Sequence, residues 1–564
     1  MVISRSMLAV ALTLLLATPA APAMSVAGLH AQTPHHAEHR SQSADSVPLY
    51  DNLGNHHYEI SSRVPRVQAY FDQGVRLYYA FNHAESIRAF EQAARLDPDC
   101  AICYWGKALA LGPNINAPID SANSVLAYAA IRDAVARKHR ASEREKALIE
   151  ALAVRYAEIP PADRAALDSA YMRAMESLAA RYPDDQEIAT LYAEALMDLR
   201  PWQYWTEQGQ PQPGTDRLLA TLEGVTKRNP DHPGACHFYI HAVEAVHPRR
   251  AVPCAERLAR QMPGAGHLVH MPGHIYIRVG RYLDAIKANE HATHADESFI
   301  RDQRPGAGIY TLGYYPHNYD FLAFAASMIG RERQAVEAAE KMREIVPQEM
   351  AGEPGMTFMQ HHLTRALQVY ARFERWDDIL RTAAPAEDLV HARAMWHYAR
   401  GRALIARGDA KGAAEELERL RASAGDSAVQ DMRLEFNTAG AVQGIAVEVL
   451  AGHVAAAQRD VPKAIEHLRE AARRESALVY GEPPEWTVPV RQELGAVLLA
   501  AGRPADAEQV YRQDLDRFPD NGWSLYGLSA SLRAQGKTAE ADAAMASYRK
   551  VWDGSRAPMM LPGN

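Results

Sequence analysis

A pair of small residues twelve positions apart recurs along this chain and constrains its fold more than any other feature. Gly74 and Ser86 form the first clear pair, followed by Gly273/Ala285, Gly401/Ala413, Gly495/Ala507 and Gly527/Ala539. Looser copies, with a bulkier residue at one of the two positions, run through Asp99–Arg181 and Gln360–Ile379. Small residues at this spacing let two antiparallel helices cross closely, and a proline such as Pro98 ends the second helix. Strand-like alternation is essentially absent. The expected fold is all-α, with roughly ten or more helix pairs stacked into one α-solenoid.

The stretch VQAYFDQGVRLYYAFNHAESIRAFEQAARLDP, from Val67 to Pro98, carries Gly74, Ser86, Phe90, Ala93 and Pro98 at the spacing of a helix–turn–helix unit. It resembles the tetratricopeptide repeat (TPR). Within that superfamily the chain is similar to a group of exported bacterial repeat proteins. The stretches that carry the likeness are AFNHAESIRAFEQAARLDPDCAICYWGKALALGPNIN, HFYIHAVEA, GAGHLVHMPGHIYIRVGRY and YYPHNYDF. The resemblance implies a scaffold that binds peptides or assembles complexes, and it does not by itself imply catalysis.

A net charge of −8, with no basic stretch, excludes nucleic acid as an expected partner. Arg5, the apolar run Met7–Ala17 and the small residues Ala21-Pro22-Ala23 read as a cleaved export signal over 1–23, with cleavage as late as 31. The chain is therefore expected to be periplasmic or secreted, with no transmembrane segment beyond the signal. Polar residues 24–64 read as a flexible lead-in. Repeats then divide into 65–232, a central histidine-rich set over 233–380, and 381–553. Two insertions, Phe299–Pro316 and Tyr480–Val488, read as loops projecting from the stack, and Pro201–Gly214 as a packed connection with two tryptophans.

Export permits disulfides. Cys236 and Cys254 fall on consecutive helices, where a cross-link is possible. Cys100 and Cys103 lie at i, i+3, and two small residues buried in a helix contact are the favoured reading over a redox or metal pair.

Ten of the 24 histidines fall between His232 and His317. His267, His270 and His274 stand at i, i+3 and i+7, and His237, His241 and Glu244 at i, i+4 and i+7, so each set shares one helix face. In the repeat register implied by the resemblance, with Gly273 at position eight, His267, His270 and His274 take groove positions two, five and nine. His317 and Asp320 take two and five in the next unit, and His361 takes two in the unit after. An extra residue in the turn at His247-Pro248 places His237, His241 and Glu244 at five, nine and twelve.

Imidazoles from neighbouring helices, whose axes pack roughly 8–10 Å apart, can reach one ion or two. His237, His241, His267, His270, His274 and His317 are accordingly the expected ligands of a transition metal: zinc, copper or iron. Glu244 is expected as a further ligand or as a general base on metal-bound water. Asp320, His361 and Tyr276 are expected to line the groove, and Trp202, Trp205, Tyr314, Tyr315, Tyr480, Glu482 and Trp486 are candidates to wall it. His291 and His294 belong to a second helix and read as surface residues. No HExxH motif is present, and the spacing does not match the Glu-x-x-His pairs of di-iron bundles, so no named metalloenzyme class is implied. Whether the chain is an enzyme stays open. The competing reading is a metal-free scaffold holding a peptide or partner protein in the groove; carbohydrate binding is a third.

Overall fold

The computed structural model describes residues 47–353 and 355–558. The expected export signal lies outside them. Among the described residues the regular structure is helical, and the only strand pairing is three isolated bridges, such as Trp205 with Pro211 in the tryptophan-bearing connection. Successive helices pack as antiparallel neighbours from Pro65–Tyr79 to Thr538–Val551.

The twelve-residue rule has a direct physical cause. Ser86 Oγ donates to the carbonyl of Gly74 at 2.7 Å, so the two small residues meet where the helices cross. The aromatic residue of the second helix then fills the space left by glycines of two consecutive first helices. A Cβ on Gly74 or Gly106 would stand 2.6 or 2.5 Å from the Phe90 ring, and one on Gly495 or Gly527 would stand 2.5 or 2.2 Å from Tyr511. Buried Phe and Tyr rings contribute about 1.5–3 kcal/mol each through area alone.

Eight of the helix-pair turns share one geometry. A residue in the left-handed region ends the first helix, and the next residue's N–H bonds back to the carbonyl five residues earlier, the Schellman pattern. Arg281 N reaches Tyr276 O at 2.8 Å, Arg331 N reaches Ala326 O at 3.0 Å and Arg503 N reaches Leu498 O at 2.9 Å. The left-handed residue is Gly280, Gly330, Gly408, Gly502 or Gly536 in five of these turns, Glu374 or Arg459 in two, and Phe81 in the first. The unit bearing His237 and His241 departs from this pattern. A 3-10 turn, Pro248–Ala251, lengthens its connection.

The stack curls back on itself instead of presenting an open groove. Trp523 Nε1 donates to Ser327 O at 2.8 Å, Asp553 N to Ile329 O at 2.9 Å, and Arg372 Nη2 to Gln492 Oε1 at 3.1 Å. At the other end, Gly234 lets the helix Pro233–Val243 approach Tyr79, whose ring would lie 2.4 Å from a Cβ there.

Several expectations are corrected. Residues 47–64 are not a flexible lead-in: Leu53 and Tyr58 are buried, and Asp72 accepts from Tyr58 N at 3.0 Å while meeting His57 Nδ1 at 2.8 Å. Aromatic burial, with backbone donors held by side chains, anchors this strap. Phe299–Pro316 is only partly a loop. The helix Tyr282–Gln303 runs into it, and a π-helical turn, Tyr310–Tyr314, leads straight into Tyr315–Met328. Cys100 and Cys103 are buried as expected, but they are disulfide-bonded, as are Cys236 and Cys254. The helix Ala439–Ala457 is long and apolar enough by composition to cross a bilayer, yet 78% of its apolar window is buried inside the protein.

Candidate metal centre

Three helical segments and a fourth bring six imidazoles together. His237 and His241 come from Pro233–Val243, with Glu244 at its end. His267 and His270 come from Gly266–His270, and His274 from Pro272–Arg278. Met271 between these two is itself helical, so the path is continuous; Pro272 removes one backbone donor and splits the hydrogen-bond ladder without turning the face. His317 opens the helix Tyr315–Met328.

The six rings form two trios. Nitrogens of His237, His241 and His267 lie within 4.8 Å of one another, and so do those of His270, His274 and His317. The first five rings are 0–4% exposed, and His317 is half-buried.

Hydrogen bonds fix which nitrogens face inward. The carbonyl of Tyr79 accepts from His237 Nδ1 at 2.7 Å. Asn289 Oδ1 accepts from His270 Nδ1 at 2.8 Å, and the Asn289 amide is oriented by its own donation to Ala285 O at 2.8 Å. Glu244 spans the two trios, with Oε1 at 2.9 Å from His241 Nδ1 and Oε2 at 2.6 Å from His274 Nδ1. With Glu244 ionised, four Nδ1 atoms carry the protons and four Nε2 lone pairs point inward. The Nε2 atoms of His237 and His241 are 3.1 Å apart, and those of His270 and His274 are 2.8 Å apart. Neither ring nitrogen of the buried His267 has a hydrogen-bond partner. Converging lone pairs and an orphaned imidazole are costly in a dry interior, and a cation satisfies all of them.

The electrostatics run the same way. Burial pushes the imidazoles of His237, His267, His270 and His274 well below the usual histidine range, and neighbouring imidazoles push them further. Burial takes His241 down to about 3. His317 is lowered by burial, against the pull of Glu435 and Asp320. Neutral imidazole is the metal-binding form. Burial raises the Glu244 carboxyl well above the usual carboxylate range, against the pull of Arg278 and Tyr480. Positive charge among the imidazoles would favour its ionised form.

Glu244 has ligand spacing with His241 and His274 as well, but both its oxygens are engaged by their Nδ1 atoms, so it stands behind the rings and does not face the shared space as a general base must. Tyr276 is also misplaced by the sequence reading: it packs under the Arg281 guanidinium at 4.4 Å, on the far side of its helix. Asp320 and His361 lie behind His317 on a buried array. Arg365 Nη2 donates to Asp320 Oδ2 at 2.6 Å and lies 3.2 Å from His361 Nε2. Of the candidate wall residues, Trp202 meets His241 at 4.9 Å and Tyr314 meets His267 at 4.5 Å between ring centroids. Glu482 Oε2 reaches to 3.6 Å from His274 Nδ1, with Tyr480 bonded to Glu482. Trp205, Tyr315 and Trp486 pack elsewhere, on His247, Tyr319 and Tyr398. His291 and His294 are exposed, as expected.

Three contributors had no assignment from the sequence: Tyr79 through its carbonyl, Asn289, and Phe81. Asn289 sits on a packed helix face, where a polar residue at 0% exposure is itself the signal. The Asn289 amide fits only because residue 273 is glycine; a Cβ there would stand 2.7 Å from Asn289 Nδ2. Phe81 packs at a tilt against His237 at 4.4 Å and stacks on His267 at 5.4 Å. Its backbone φ of 55° places a bulky residue where most sister turns use glycine, at a cost on the order of 1–3 kcal/mol.

A third cluster, His56, Glu187 and His232, also has ligand spacing. There His232 Nδ1 accepts from Ala235 N at 3.1 Å, which puts the ring proton on Nε2, 3.1 Å from Glu187 Oε1. That cluster is a hydrogen-bonded clasp tying the strap to the stack.

No protein-family model matches the chain, and no curated protein matches it. Solved structures that align include an IFIT1 monomeric mutant with Gppp-AAAA, at 12% identity over 86% of this chain and 90% of that one, with a TM-score of 0.32. Naa15/Naa10 bound to HypK-THB aligns at 12% identity over 86% and 70%, with a TM-score of 0.22. The P58(IPK) TPR domain aligns at 12% identity over 84% and 99%, with a TM-score of 0.20. Scores this low carry nothing about function, and the architecture rests on the protein's own helix pairs and turns. By those features the chain is an α-solenoid of stacked antiparallel helix pairs.

Proposed function

We propose that this protein is an exported repeat scaffold whose interior holds two transition-metal ions, one in each histidine trio. The observation that carries the reading is the convergence of four Nε2 atoms in two pairs about 3 Å apart, beside the orphaned ring of His267. Three imidazoles per ion leave a coordination position open, the arrangement of reactive metal sites, whereas structural sites are closed by four protein ligands. Both trios are nitrogen-only. That donor set suits zinc and copper, and it fits iron less well, since non-haem iron oxygenases add a carboxylate. The two disulfides support an oxidising compartment, in keeping with export.

The competing peptide-scaffold reading loses its groove contacts, because five of the six imidazoles are buried, under Phe81, Trp202 and Tyr314 in the first trio and Phe321 in the second. A protein partner on the outer surface remains compatible with the fold.

Titration of chelated, untagged protein with zinc and with copper(I) tests the reading. Two equivalents are expected at saturation with the favoured metal. His267→Ala and His270→Ala should each reduce uptake to one tightly bound equivalent. Uptake of neither metal by a folded wild-type protein overturns the reading.

A further inference from the structure

Resting on that reading, the two trios are unequal in a way the repeat architecture exposes. Eight turns share the Schellman geometry, and only the first puts an aromatic ring at the left-handed position. Asn82 N still bonds back to Leu77 O at 3.0 Å, so the turn is the ordinary one and only its side chain is unusual. The Phe81 ring lies over all three imidazoles of the first trio: 4.4 Å from His237, and nearly parallel to His241 and His267, at interplanar angles of 8° and 18°. Phe81 is itself 1% exposed. In the second trio His270 and His274 are buried as well, while His317 is half-buried. Phe321, one turn along the same helix, packs against its three rings as part of the core.

We infer that Phe81 seals the ion held by His237, His241 and His267, and that the ion held by His270, His274 and His317 is the one that meets a small oxygen- or nitrogen-donor ligand, admitted past His317. A left-handed phenylalanine held against its backbone preference fits this assignment. Any of the sister turns' glycines would make the same turn without the ring, so the ring serves the trio. Phe81 is a positioning and access residue in this account, since it ligates nothing.

The test uses the full-length protein loaded with cobalt(II), whose visible spectrum reports coordination, and sodium azide as the probe. Wild type should bind two cobalt ions and show one azide-responsive step. Phe81→Gly should keep both ions and gain a second azide step, roughly tenfold or more tighter than any residual response of the sealed ion in wild type. Glu374→Gly, the same exchange in a turn far from the centre, should behave as wild type. His317→Ala should remove the wild-type step, an independent readout that does not depend on the Phe81 variant. Two equal azide steps in wild type, or no added step in a cobalt-loaded Phe81→Gly protein, would overturn the inference and leave the metal centre standing. Failure of wild type to take up cobalt, zinc or copper would remove both.

Discussion

His237 gives its Nδ1 proton to the carbonyl of Tyr79, 2.7 Å away and 158 residues earlier in the chain. A carbonyl can only accept, so this one bond fixes the tautomer of His237 and turns its Nε2 lone pair toward His241. The same logic, applied through Asn289 and Glu244, makes the centre. Outer partners set ring orientation and donor strength as much as the ligands do.

Glu244→Gln tests the shared partner. An amide accepts on one side and donates on the other, so one of His241 and His274 must change tautomer and present N–H to its ion. Loss of about 10–100-fold in affinity at one of the two ions is expected, read by competition with a chromophoric chelator. Unchanged affinity at both would contradict the role given to Glu244.

Asn289→Leu separates the trios. It removes the acceptor of His270 Nδ1 at nearly constant volume, so the second ion should weaken by about 10–100-fold while the first is unaffected. Equal weakening of both ions, or of neither, would argue against two independent trios.

The depressed imidazoles make the metal-free protein acid-sensitive. A histidine neutral in the folded state takes up a proton on unfolding below its ordinary value near 6.5, so its contribution is complete above that pH. It is lost as pH falls toward the folded value, about 3 for His241. Each such group costs roughly 1.4 kcal/mol per pH unit in that window. Chelated protein should therefore lose denaturant resistance steeply from pH 6.5 downward, and metal-loaded protein should hold until the metal leaves. Parallel profiles for the two forms would contradict the assignment.

Behind His317, Asp320 faces the Arg365 guanidinium at 2.5 Å, with both side chains almost wholly buried. Asp320→Ala strands that cation and should destabilise the chelated protein by about 3–5 kcal/mol in urea unfolding. A loss below about 1 kcal/mol would mean that the array admits water or counter-ions.

Much of this was legible before any coordinates. The twelve-residue step is a packing rule, and Ser86 on Gly74 shows why it can be read in one dimension. The histidines were legible for the same reason: i, i+3 and i+7 on a helix are neighbours whatever the tertiary fold does. What escaped depends on the curl of the stack. Tyr79 contributes a backbone atom, which no side-chain pattern reports. Glu244 was correctly placed in the cluster, yet the side it presents depends on how Pro233–Val243 is rotated against Pro272–Arg278. Tyr276 shares a helix with His274 but stands two residues on, which is enough to put it on the other face. Phe81 carried a signal that only comparison among the turns brings out.

The most direct measurement is anomalous diffraction from crystals of untagged protein loaded with its preferred metal, recorded at that metal's absorption edge. Two peaks are predicted, one among the inward nitrogens of His237, His241 and His267 and one among those of His270, His274 and His317, each beside Glu244's bridge. Stoichiometric metal located elsewhere in the molecule, with no peak in either trio, would contradict the account.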